Sequence, residues 1–147
     1  MDKLTFKGTI ISVQPRIRLV RSFDEASHNY LGYALFLQGS IGEEEREFSI
    51  GISKAAHEKH QFRIDDEISG ACVPVADDRL EPVEFYKVSK LKKLQETTRA
   101  NVKPPPWEDV CPELETYRWR GHRRLAARTY FTKCTTCMWG CRMPVEI

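Results

Sequence analysis

A chain of 147 residues with 41% hydrophobic and 30% charged residues has the length and composition of one folded domain with an appendage, which excludes a wholly disordered or fibrous protein. Its net charge of +2 hides an asymmetry: residues 1–116 hold 16 Lys/Arg against 20 Asp/Glu, whereas residues 117–147 hold seven Lys/Arg against Glu146 alone. No apolar run approaches the roughly 20 residues of a membrane-spanning helix, and Met1–Lys7 carries no apolar signal region, so the sequence predicts a cytoplasmic protein whose thiols stay reduced.

Taken in chain order, the first 95 residues read as β structure. Leu4–Val13 is rich in β-branched and aromatic residues, and Pro15 is expected to end or bend that run. Arg16, Arg18 and Arg21 then fall in a loop leading to the second strand, Tyr30–Leu37. Gly39–Gly42 is a turn signal, and Glu45–Ile52 pairs back as the third strand, with Phe48, Ile50 and Ile52 on one face. Ser53 is placed to cap a short helix over Lys54–His60, whose two histidines read as part of a solvated face. Ile68–Val75 and Val83–Leu91 supply the fourth and fifth strands, with Lys90–Leu94 fraying from the last. Cys72 falls mid-strand, where a small core residue is the expected role.

The order of these elements, with a helix between the third and fourth strands and the turn Phe62–Gly70 leading into the fourth, resembles the OB-fold superfamily. The resemblance covers about two thirds of the chain and implies an all-β fold: a five-stranded Greek-key barrel with one short helix, occupying residues 1–95. It also implies oligonucleotide or oligosaccharide binding over the second and third strands and the loops beside them, where Arg16, Arg18 and Tyr33 lie. Alternation puts Tyr33 and Phe36 on opposite faces, so at most one of them can be an exposed platform.

Residues 96–110 read as a linker stiffened by Pro104–Pro106. Beyond it, residues 111–147 form a basic, cysteine-rich segment. Cys111, Cys134, Cys137 and Cys141 supply four thiols, three of them in C-x2-C-x3-C spacing, and four thiolates would close a tetrahedral structural site. Zn2+ is the first expectation, an iron–sulfur cluster is the alternative metal group, and buried or redox-active thiols remain open. Between the cysteines, Tyr117–Lys133 carries six Lys/Arg and no acid, interleaved with aromatic rings. Arg118, Trp119, Arg120, Arg123, Arg124 and Arg128 are the candidates to hold phosphates and stack on bases. The competing reading packs the rings beneath the cysteine loop and leaves the arginines as a solvated rim.

The chain has no P-loop, no G-x-G-x-x-G, no nucleophile elbow and no paired carboxylates with a nearby base, which argues against catalysis. The sequence therefore predicts a module that binds RNA or single-stranded DNA and whose basic-aromatic segment is ordered by zinc. A protein-docking domain with structural zinc and an iron–sulfur redox protein are the alternatives.

Overall fold

The structure is a computed structural model and describes residues 3–21, 26–77, 79–95, 111–120, 131, 137–143 and 145–146. Its elements are β1 (Leu4–Arg21), β2 (Ala26–Ile41), β3 (Glu44–Ile52), α1 (Lys54–His60), β4 (Glu67–Pro74), β5 (Phe85–Gln95), α2 (Leu114–Arg120) and β6 (Val145–Glu146). The strands β2–β3–β5–β4–β1 lie side by side, and β1 pairs back onto β2, so the five strands close into a ring. The join between β3 and β5 is the parallel pairing of Ile50 with Phe85. Among the described residues no helix is long and apolar enough to cross a membrane.

The first strand is much longer than its sequence suggests. β1 continues through Pro15 to Arg21, paired with β2 from Phe6↔Ile41 to Arg21↔Ala26. Arg16 and Arg18, expected in a loop, are therefore strand residues. Pro15 is tolerated because β4 accompanies β1 only from Leu4 to Thr9. Past that point β1 is an edge on one side, which is where a strand can carry a residue that lacks an N–H. The two-residue β6 then runs parallel to β1 at Leu19 and Val20. Gly39 is required where the ribbon curves: a Cβ there would collide with the backbone of Lys7 and Gly8.

In β3 Phe48, Ile50 and Ile52 are buried as expected, at 3% exposure or less, but Ser49 and Gly51 on the opposite face are buried as well. The three apolar side chains meet Phe6, Ile10, Leu35, Leu37, Ile68 and Phe85 inside the ring. Ser53 caps α1 by accepting the Ala56 N–H at 3.1 Å, and Gln61 ends the helix in a left-handed conformation. The following turn is stitched to β1, with Ile10 N–H donating to the Asp66 carbonyl and Asp65 N–H to the Ile10 carbonyl. Asp66 is fully buried; its carboxylate accepts from the Arg63 N–H at 2.9 Å and pairs with Lys93 at 3.4 Å. Cys72 is a core residue with no exposure, and burial pushes its thiol up to about 11.

β5 runs to Gln95 rather than ending near Leu91, and it is irregular. Its register against β4 shifts three times, and Lys87 and Lys90 adopt left-handed conformations with φ of 53° and 54°. The side chains that pack toward the core, Phe85, Val88 and Leu91, are consequently three residues apart instead of two.

Candidate nucleic-acid interface

The cysteine-rich segment begins by docking on the ring. Cys111, Leu114, Tyr117 and Met138 are all buried and belong to the same apolar cluster as the strands. Three hydrogen bonds fix the approach: the Tyr33 hydroxyl donates to the Pro112 carbonyl at 2.6 Å, the Cys111 thiol donates to the Val13 carbonyl at 3.3 Å, and His57 Nε2 lies 2.9 Å from the Cys111 carbonyl. A carbonyl can only accept, so Nε2 carries the proton and Nδ1 is the unprotonated nitrogen. His57 Nδ1 is buried and has no hydrogen-bond partner among the described residues, and burial is the main force holding the His57 imidazole below its ordinary pKa. The sequence placed His57 on a solvated helix face. The structure instead buries it, stacked on Tyr33 with ring centroids 3.9 Å apart.

The second half of the docking is made by Tyr117. Its hydroxyl donates to the Met138 carbonyl at 2.6 Å, and its ring meets Trp139 edge-on at 5.3 Å. Burial, and then the neighbouring Cys111, raise the Tyr117 hydroxyl far above its usual range, so it remains a donor. Gln14 Nε2 donates to the Cys137 carbonyl at 3.1 Å, and Lys54 pairs with Glu115 at 3.2 Å.

This docking decides what α2 presents outward. Leu114 and Tyr117, three residues apart, form the buried stripe of this seven-residue helix. Arg118 and Trp119 are thereby turned to solvent. The Trp119 ring is 88% exposed, and the Arg118 guanidinium sits 4.4 Å from the centroid of Tyr30 on β2. Elsewhere on the segment Phe131 is 58% exposed and carries the Arg142 guanidinium 5.5 Å from its ring centre. The described rings thus divide: Tyr117 and Trp139 pack inward, while Trp119 and Phe131 face outward with arginines beside aromatic faces. That arrangement can take a stacked base and a phosphate.

The other expected binding residues are placed differently. Tyr33 is buried on the inside of the ring, between His57 and the docked segment, so neither face of its ring is offered to a ligand. Arg16 and Arg18 converge on Glu81, a buried carboxylate from the segment between β4 and β5: Arg18 Nη2 donates to it at 3.0 Å and Arg16 Nε lies 3.5 Å away. Arg18 Nε also donates to the Leu80 carbonyl at 2.9 Å. Gly51 leaves room for the Arg16 guanidinium, because a Cβ there would overlap it. Arg120 closes α2, but its side chain lies outside the described residues, as do Arg123, Arg124, Arg128 and the linker at 96–110.

Of the four expected metal ligands, Cys111, Cys137 and Cys141 are described and Cys134 lies outside the described residues. Cys111 is buried, Cys137 and Cys141 are half-buried, and all three are free thiols. Burial pushes the Cys141 thiol up to about 11. The Trp139 N–H donates to Cys137 Sγ at 3.4 Å. Among the described residues no group of three His, Cys, Asp or Glu converges on one point.

Comparisons of the chain with protein-family models, with curated proteins and with solved structures gave no match. The functional reading accordingly stands on this geometry. Arg142 and Phe131 were not singled out as a pair from the sequence, because eleven positions separate them and only folding brings guanidinium and ring together.

Proposed function

We propose that this chain is a nucleic-acid-binding module of the OB-fold type that engages RNA or single-stranded DNA through its C-terminal basic-aromatic segment. The observation that carries the reading is Trp119, 88% exposed and next to an arginine already stacked on Tyr30. A large apolar ring left in water is unfavourable unless something covers it, and a base stacked on such a ring contributes about 1–3 kcal/mol. The closed order of five strands with a helix between β3 and β4 supports the OB-fold assignment.

The same reading gives Cys111, Cys134, Cys137 and Cys141 to one structural Zn2+ that completes the segment. The N–H donated to Cys137 Sγ supports it, and Gly140 N–H turns back onto the Cys137 carbonyl at 3.0 Å, as a chain curling around a sulfur does.

The test is fluorescence anisotropy of a labelled single-stranded oligonucleotide, with zinc supplied. Binding should weaken steeply with salt, and Trp119→Ala should lower affinity by about 5- to 150-fold, the equivalent of about 1–3 kcal/mol, without lowering thermal stability. Absence of binding by the parent chain at low salt overturns the proposal.

A further inference from the structure

Val13, Pro15 and Ile17 of β1 alternate regularly and are all buried. Their partners on β2 are Leu35, Tyr33 and Tyr30. The last step spans three residues of β2 against two of β1, so Leu31 is an extra residue and β2 bulges there. Gly32 beside it has φ of 137°, and a Cβ on it would collide with the Ile52 carbonyl. Without the bulge, alternation would place Tyr30 and Tyr33 on opposite faces. With it, Tyr30 keeps to the face of Tyr33 and packs half-buried against the core cluster. β3 accompanies β2 only as far as Tyr33↔Ile52, so Tyr30 lies past the end of that strand.

The C-terminal segment docks on this same side. Tyr33 holds the Pro112 carbonyl at 2.6 Å, and further along the segment the Arg118 guanidinium lies over the Tyr30 ring, 4.4 Å from its centroid. The other cation–ring approaches among the described residues are looser, at 5.3–5.8 Å. α2 itself offers Arg118 an acid, because Glu115 stands three residues earlier, the spacing at which opposite charges pair on a helix. Glu115 pairs instead with Lys54 of α1 at 3.2 Å. Among the described residues Arg118 is therefore exposed, without a hydrogen bond or ion pair, and rests on Tyr30 alone. A ring engages the flat side of a guanidinium and leaves the N–H donors around its edge free.

We infer that Arg118 is the phosphate-holding group of the interface and that Tyr30 is its positioning residue, so that α2 and β2 together take one nucleotide unit: the base on Trp119 and the adjoining phosphodiester on Arg118. This inference rests on the nucleic-acid reading above and adds to it the group that meets the backbone and the barrel residue that holds that group in place. A free arginine side chain samples many rotamers, and ordering it on binding weakens affinity. Contact with Tyr30 orders it beforehand. The planar fork then presents paired donors to two phosphate oxygens, which a lysine at the same place could not do. Arg118 and Trp119 are successive exposed residues, so the phosphate donor stands next to the base platform, as phosphate and base stand along a single strand. The bulge at Leu31 is what brings Tyr30 beneath the arginine, and bulges characteristically re-aim a side chain in this way.

Arg118→Gln, Tyr30→Leu, Tyr30→Phe and the double variant of Arg118→Gln with Tyr30→Leu test it, using anisotropy of a labelled single-stranded oligonucleotide on the zinc-supplied full chain. Arg118→Gln removes one phosphate contact and should reduce the slope of log affinity against log salt by about 0.7. Tyr30→Leu keeps an apolar side chain against the core but removes the ring, and should weaken binding by about 2- to 5-fold while Arg118 keeps the slope at its parent value. Tyr30→Phe keeps the ring and should bind as the parent does. Because Tyr30 acts through Arg118, Tyr30→Leu should cost nothing further once Arg118 is glutamine. If the parent chain binds no oligonucleotide at low salt, the nucleic-acid reading falls and this inference with it. If Trp119→Ala weakens binding while Arg118→Gln keeps the parent slope, the nucleic-acid reading stands and the phosphate assignment is overturned. If Tyr30→Leu costs as much in the Arg118→Gln background as in the parent, the positioning role of Tyr30 is overturned.

Discussion

Replacing Glu81 with alanine separates the structural arginines from the binding arginines. The carboxylate is buried, with 8% of its side chain exposed, and holds Arg18 at 3.0 Å and Arg16 at 3.5 Å, whose side chains are 20% and 14% exposed. At 3.0 Å and an effective dielectric of about 20, the Arg18 pair alone has a Coulomb attraction near 5 kcal/mol. Desolvation of both charges offsets most of that in the intact protein. Removing only the carboxylate recovers none of the arginines' desolvation cost and leaves two like charges close together. Fully buried pairs broken in this way lose about 3–5 kcal/mol. Here each guanidinium reaches some water and Arg18 keeps its bond to Leu80, so the expected loss is about 2–3 kcal/mol, equivalent to roughly 5–10 °C in a chain of this size. Urea denaturation of Glu81→Ala, Arg18→Ala and the double variant measures it. The double variant should cost less than the sum of the singles by more than about 1 kcal/mol. A loss below about 0.5 kcal/mol for Glu81→Ala would place the cluster among exposed ion pairs and refute its role as the clamp holding residues 80–84 to β1. A second readout concerns function: Arg18→Ala should lower stability while leaving the salt slope of oligonucleotide binding unchanged.

Other expectations follow from single contacts. Gly39→Ala drives a Cβ into the backbone of Lys7 and Gly8, so it should destabilise by more than about 3 kcal/mol or prevent folding, read by circular dichroism. Ser53→Ala removes the cap of α1 and should cost about 1 kcal/mol in a urea titration. His57 is neutral in the fold, its pKa held below the ordinary value of about 6.5 chiefly by burial. The unfolded chain then binds the extra proton first, so the contribution of His57 is complete above about pH 6.5 and is lost as pH falls toward the folded pKa. The urea midpoint should drop over that range, and His57→Gln should flatten the dependence.

The parts of this fold legible in the sequence are those set by local pattern. The apolar positions of β3 marked Phe48, Ile50 and Ile52 as buried, though not the burial of Ser49 and Gly51 between them, and Ser53 three residues before Ala56 marked the start of α1. Both depend on neighbours in the chain. What was not legible depends on partners far away. Pro15 reads as a strand terminator unless it is known that β4 has already left β1 by Thr9. Two bulges in β5 replace the two-residue period by three, so the inward spacing of Phe85, Val88 and Leu91 matches no strand pattern until β4 fixes the register. His57 reads as a surface histidine because its burial comes from Tyr33 on another strand and from a segment that begins 54 positions later. Trp119 was a candidate from composition alone, but its exposure is decided by Leu114 and Tyr117 claiming the buried side of α2.

The docking of Cys111 also sharpens what metal should do here. If zinc alone ordered residues beyond 110, chelation would release all of them. Yet Leu114 and Tyr117 are buried in the ring's own core, and three hydrogen bonds hold Cys111 and Pro112 to Val13, Tyr33 and His57 through protein groups only. Burial of a leucine and a tyrosine is worth several kcal/mol, enough to keep α2 in place. The thiol of Cys111 must also surrender its proton, and with it the bond to Val13, before it can ligate, so this ligand joins a site at some cost to the docking. Chelation, and equally Cys134→Ser, should therefore lower metal content and loosen residues 137–143 while α2 stays protected from hydrogen exchange. Elemental analysis with site-resolved exchange distinguishes the cases: unchanged metal content in Cys134→Ser removes that residue from the ligand set, and loss of α2 protection on chelation refutes an anchor independent of metal.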